Sequence, residues 1–123
     1  MRKKLKITGD CFSSALDMLE NDTTGEMVLV HGLPMGLSGD AAKAGRYPHA
    51  WIEIPSLGVV RDTVANATVS IERYYELGQI EYTRRYTIKD VRRLQRKYGY
   101  DTVLWNRTLK RRQKELQRKR IWK

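Results

Sequence analysis

Three side chains in this sequence could act together on a covalent bond: Cys11, His49 and Asp62. Cys11 is the one cysteine, set in Gly9-Asp10-Cys11-Phe12-Ser13-Ser14-Ala15-Leu16. His49 opens His49-Ala50-Trp51-Ile52-Glu53-Ile54, and Asp62 closes Val59-Val60-Arg61-Asp62. A thiol, an imidazole and a carboxylate in this order are the parts of a cysteine nucleophile, its base and the group that orients the base. A free thiol is mostly protonated at neutral pH, and the unpaired amides of a helix N-terminus and a neighbouring imidazolium both favour the thiolate. The bland alternative for a lone cysteine is a small buried hydrophobe.

The elements that must position these groups can be read from spacing. Asp10 can cap a helix over 11–20, with Phe12, Ala15, Leu16 and Leu19 on one stripe, which puts Cys11 at the helix start. There the same amides could hold an oxyanion. Asn21-Asp22-Thr23-Thr24-Gly25 breaks the helix, and Met27-Val28-Leu29-Val30 reads as a buried strand ending at His31-Gly32. Residues 49–54 alternate, so that His49, Trp51 and Glu53 share one strand face and Ala50, Ile52 and Ile54 the other. Pro55-Ser56-Leu57-Gly58 turns the chain into 59–63, an antiparallel hairpin in which facing residues sum to about 111–113. That register brings Asp62 opposite His49 or within two positions, where a carboxylate fixes the imidazole tautomer and supports its protonated form.

Further along, Ser70 caps a short helix carrying Ile71, Tyr74, Tyr75 and Leu77 and ended by Gly78, and Ile80 to Tyr86 alternates as another strand. Thr87-Ile88-Lys89-Asp90 is a capping-box start with Asp in place of the usual Glu or Gln. A final helix is expected from about Thr102 to Lys119, with Leu104, Leu109 and Leu116 as its few apolar anchors. The segment from Gly32 to Pro48 has no periodicity, and a loop of that length in a small domain is often functional. Its glycines and Lys43 do not have the Walker spacing, which argues against a nucleotide loop.

These residues carry a family resemblance. Gly-x-Cys-x-x-x-Ala at a helix start, His-Ala-Trp-Ile-Glu, then a glycine and a strand ending in Asp resemble the core of transglutaminase-like cysteine enzymes, within the papain-like superfamily. The matching positions are Gly9, Cys11, Ala15, His49, Ala50, Trp51, Glu53, Gly58 and Asp62, over residues 9–63. The resemblance implies an α+β fold, a papain-like or transglutaminase-like core whose N-terminal helix carries the cysteine and packs on a small antiparallel sheet. It implies acyl transfer through a thioester: Cys11 attacks, His49 moves the proton and Asp62 orients His49. Water as acceptor makes a peptidase or amidase, and an amine makes a cross-linker. A peptide or amide-bearing substrate is expected, with no cofactor. Residues 1–10 hold no glutamine to act as an oxyanion donor, which leaves the Cys11 amide and a neighbouring group for that task.

Other polar residues have weaker assignments. Cys11, His31, His49 and Asp62 could form a mixed zinc site, but no standard ligand spacing is present, so no metal is expected. His31 is placed at the pocket rim or in the core. Trp51 reads as core or pocket wall, and Glu53 as a hydrogen-bonding residue beneath the site or an exposed strand position.

Length and charge bound the rest. At 123 residues the chain is expected to form one domain, a catalytic-like core over 7–86 with a basic helical extension over 87–123. No apolar run is long enough for a membrane span, and the basic N-terminus lacks a following apolar stretch, so a cytoplasmic protein is expected. One cysteine agrees with a reducing compartment. The net charge of +10 is uneven: residues 83–123 hold 16 Lys and Arg against 3 Asp and Glu, or +13, and the remainder carries −3. Arg92, Arg93 and Arg96 lie on one expected helix; Arg107, Lys110, Arg111, Arg112, Lys114 and Arg118 lie on the next. Such density fits nucleic acid or an acidic protein as partner, or a solvated helix face, and it supports an alternative in which the chain is a non-catalytic basic binding protein on a degenerate papain-like fold.

Overall fold

Val28-Leu29-Val30-His31-Gly32-Leu33 is buried along nearly its whole length, as expected of a strand with neighbours on both edges and cover on both faces. In a computed structural model, which describes residues 11–35, 45–99, 105 and 107–121, this segment is β1 of a five-stranded antiparallel sheet. The other strands are β2 (His49–Ile54), β3 (Val59–Asp62), β4 (Ala67–Ser70) and β5 (Glu81–Tyr86), in the order β4-β3-β2-β1-β5. Among the described residues four α-helices accompany them: α1 (Cys11–Glu20), α2 (Ile71–Gly78), α3 (Ile88–Tyr98) and α4 (Arg107–Ile121). The architecture is α+β. No helix among the described residues is long and apolar enough to cross a membrane.

The 49–54 and 59–62 hairpin forms as expected, through a 3-10 turn at Pro55–Leu57 and Gly58 at φ 66°, a left-handed conformation that suits glycine. Its register pairs Ile52 with Arg61, Glu53 with Val60 and Ile54 with Val59, a constant sum of 113. The alternation of β2 sorts its side chains as the pattern predicts. Ala50 and Ile52 join Phe12, Ala15, Leu16 and Leu19 of α1 in one core cluster. Trp51 joins Val30 and Val60 in a second, covered by Ile71, Tyr74 and Tyr75 of α2. The sheet is therefore clad by α1 on one face and α2 on the other, with Val91, Leu94 and Leu109 of α3 and α4 packing with the α1 cluster.

Several boundaries differ from expectation for physical reasons. β1 runs on through His31 and Gly32 to Leu33, because β5 supplies a partner along its other edge. Gly32 is required there: a Cβ would lie 2.5 Å from the Trp51 ring. The β1–β5 ladder shifts register between Gly32 and Leu33, and Tyr82, at φ 45°, is the extra residue of that bulge. β4 is a strand that the sequence pattern did not show. Ala67-Thr68-Val69-Ser70 is a half-exposed edge with one well-packed apolar side chain, too short for period-two reading. Ser70 caps α2 by accepting from the Arg73 amide at 3.1 Å, and the Thr87–Asp90 capping box of α3 is formed in both directions. The Asp10 cap, Gly9, the 36–44 part of the loop and Leu104 lie outside the described residues.

Candidate active site

The three candidate residues converge although each comes from a different element. Cys11 is the first residue of α1, His49 the first of β2 and Asp62 the last of β3. All three are buried, with Cys11 5% exposed. The β2–β3 register places Asp62 across from Trp51, so it reaches His49 as a diagonal neighbour on the same sheet face. The contact between His49 Nε2 and Asp62 Oδ2 is 2.9 Å. Cys11 hydrogen-bonds the same imidazole from α1. The thiol, ring and carboxylate thus form one chain.

The electrostatics follow from these contacts. Burial opposes a charge on His49, but the hydrogen bonds to Asp62 and Cys11 and their charges outweigh it, and the imidazole is pushed up to about 9. Burial alone would raise the Asp62 carboxyl; hydrogen bonds from His49, Tyr74 and the Ala65 backbone overcome it and hold Asp62 well below the usual carboxylate range. Asp62 is the most heavily bonded group of the site. Its Oδ1 accepts from the Val64 amide at 3.0 Å and the Ala65 amide at 3.1 Å. Its Oδ2 accepts from His49 and from the Tyr74 hydroxyl at 2.6 Å. A carboxylate so fully bonded has one orientation, which it imposes on the imidazole.

Tyr74 is a residue that sequence reasoning placed only on an apolar helix stripe. A signal was available. A buried tyrosine hydroxyl needs a partner, and α2 carries adjacent tyrosines over a sheet face holding two carboxylates. Tyr74 takes Asp62, and Tyr75 takes Glu53 Oε2. The phenol of Tyr74 is held well above its ordinary range by burial and by its bond to Asp62. Tyr47, also not singled out, lies with its ring centroid 5.5 Å from that of His49.

Trp51 and Glu53 stand next to the site rather than in it. The Trp51 ring, fully buried, lies 5.9 Å from the His49 ring and 5.2 Å from that of Tyr74. Its Nε1 donates to Glu53 Oε2 at 3.0 Å, while Glu53 Oε1 accepts from Arg85 Nη2 at 3.2 Å. Glu53 is thus a paired, buried carboxylate that ties Trp51 to Tyr75 and Arg85. His31 does not join the triad. It pairs with Ala50 across β1–β2 and so faces α1, packed between the rings of Phe12 and Tyr86 at 4.9 and 4.8 Å. Both its ring nitrogens lack a hydrogen-bond partner, and burial, aided by Arg84, pushes its pKa down to about 3. Among the described residues, no group of three or more His, Cys, Asp or Glu side chains is arranged to hold a metal ion.

The basic candidates are apart from this centre. Arg92, Arg93 and Arg96 are exposed on α3, and Arg107, Lys110, Arg111, Arg112 and Lys114 are exposed on α4; the Arg118 side chain lies outside those described. Gln113 of α4 donates to the Arg46 carbonyl, beside Tyr47. Comparison with protein-family models, curated proteins and solved structures finds nothing that matches this chain.

Proposed function

We propose that this protein is a cysteine-dependent acyl-transfer enzyme on a papain-like or transglutaminase-like core, with Cys11 as nucleophile, His49 as base and acid, and Asp62 as the orienting group. The observation that carries the reading is His49 held between two partners, Cys11 on one side and Asp62 at 2.9 Å on the other. Such a chain lets the ring take the thiol proton without turning. The sulfur then attacks an acyl carbon, and the carbonyl electrons move to oxygen. Amides at the start of α1 face the developing oxyanion. Collapse of the adduct re-forms the carbonyl and breaks the bond to the leaving group, which departs with the proton from His49. A thioester on Cys11 remains. His49 next takes a proton from water or an amine, which attacks the thioester and restores the thiol.

The acyl donor is an amide, thioester or isopeptide, and the acceptor distinguishes hydrolysis from cross-linking. A small activated ester tests the chemistry independently of the natural substrate. Incubation with p-nitrophenyl acetate is expected to give a burst of nitrophenol and an acetyl group on Cys11, sensitive to hydroxylamine and abolished by Cys11→Ser. Acetylation spread over lysines, with no adduct on Cys11, would refute the nucleophile.

A further inference from the structure

Two helices carry cationic stripes that the acyl-transfer chemistry does not use. On α3, Lys89, Arg92 and Arg96 are exposed at i, i+3 and i+7, while Val91 and Leu94 are buried in the core. On α4, Arg107, Lys110, Arg111 and Lys114 are exposed at i, i+3, i+4 and i+7, with Leu109 buried on the opposite side. Among the described residues, the acids on these two helices are already occupied. Asp90 closes the α3 capping box and pairs with Arg93, and Glu115 pairs with Arg112 at 3.3 Å. Each stripe runs for about 10 Å at 1.5 Å per residue, a length over which duplex DNA presents several phosphates at about one charge per 1.7 Å.

We propose that α3 and α4 form a sequence-independent binding surface for nucleic-acid phosphates. Two features separate this partner from others that favour positive charge. An acidic protein docks through a desolvated aromatic or apolar centre, and among the described residues the large hydrophobic side chains that are exposed, Leu57, Val64 and Leu77, lie outside these helices. An anionic membrane requires an apolar face free to enter the lipid, whereas the apolar sides of α3 and α4 are spent on the core. What remains outward is mostly arginine, whose guanidinium suits bidentate phosphate contact.

The test is fluorescence anisotropy of the full chain with a labelled DNA duplex of arbitrary sequence, over a series of salt concentrations. Binding is expected at about 50 mM salt and to weaken linearly in log–log form, with a slope near −0.9 per phosphate contacted. Arg92→Gln on α3 and Lys110→Gln on α4 should each flatten that slope by about 0.9. Arg73→Gln, the same charge change on α2, should leave it unaltered, as should Cys11→Ser. Arg73, Arg92 and Lys110 are exposed, and far-UV circular dichroism confirms that each variant, Cys11→Ser included, is folded. Absence of binding at low salt, or an equal effect of Arg73→Gln, overturns the proposal. Tighter binding to polyglutamate than to the duplex also overturns it, in favour of an acidic protein partner.

Discussion

Replacing Asp62 by Asn isolates what the carboxylate does for His49. The substitution keeps the shape of the side chain and an oxygen to accept from the Val64 and Ala65 amides, which are 3.0 and 3.1 Å away. It removes the charge and turns an NH2 donor or a neutral oxygen toward His49 Nε2. In the native protein the imidazole is held at about 9 against a burial effect that works the other way. Without Asp62, burial is opposed only by Cys11, so the midpoint should fall to 6.5 or lower. A fall of about 2.5 units corresponds to about 3 kcal/mol lost from the imidazolium. An amide NH2 facing Nε2 would also place the neutral ring's proton on Nδ1, the opposite tautomer to the one a carboxylate at Nε2 favours. The chain has two histidines, so an NMR titration of ring protons reads both at once. His31 serves as internal control, since it should not titrate until about pH 3. The expected result is one resonance moving from a midpoint near 9 to 6.5 or below, with the other unchanged. An unchanged His49 midpoint in Asp62→Asn would refute the coupling.

Four further outcomes follow from contacts within the fold. Tyr74→Phe removes a donor 2.6 Å from Asp62 Oδ2, so the carboxylate bonds His49 more strongly; the NMR midpoint of His49 should rise, opposite to Asp62→Asn, and chemical denaturation should show a loss of about 1.5–3 kcal/mol. His31 binds its proton in the unfolded chain from about pH 6.5 but in the fold only near 3, so between those values acidification should cost about 1.4 kcal/mol of stability per pH unit, a slope that His31→Leu should flatten in urea titrations. The His49–Asp62 pair has another window: Asp62's share is present above pH 3.8 and His49's is lost as pH rises through about 9. Gly32→Ala sets a methyl group 2.5 Å from the Trp51 ring and should lower the urea midpoint by an amount equivalent to about 1–3 kcal/mol.

The parts of the fold that were legible in the sequence are those governed by local rules. The α1 stripe, the 55–58 turn, the Ser70 cap and the Thr87–Asp90 box each depend on residues within a few positions, and each forms where expected. The link from His49 to Asp62 was also legible, because a short turn sets hairpin register. What could not be read arises between distant elements. β4 is stabilised by pairing with β3 rather than by its own composition, and the β1–β5 bulge reflects the fit of Tyr82 and Gly32. Tyr74 reaches Asp62 only because α2 returns across the face that carries His49. His31, one polar residue among apolar ones, could have faced either side; pairing with Ala50 puts it in the α1 core.

The central claim is that Cys11 is activated by the imidazole bonded to it, and the most direct measurement is the rate of Cys11 alkylation by iodoacetamide in the folded protein at neutral pH, native against His49→Ala. The triad predicts rapid labelling in the native protein and a rate at least about tenfold lower without the imidazole, with circular dichroism unchanged. Slow labelling of the native protein that His49→Ala does not alter would make Cys11 a buried structural thiol and contradict the proposed chemistry.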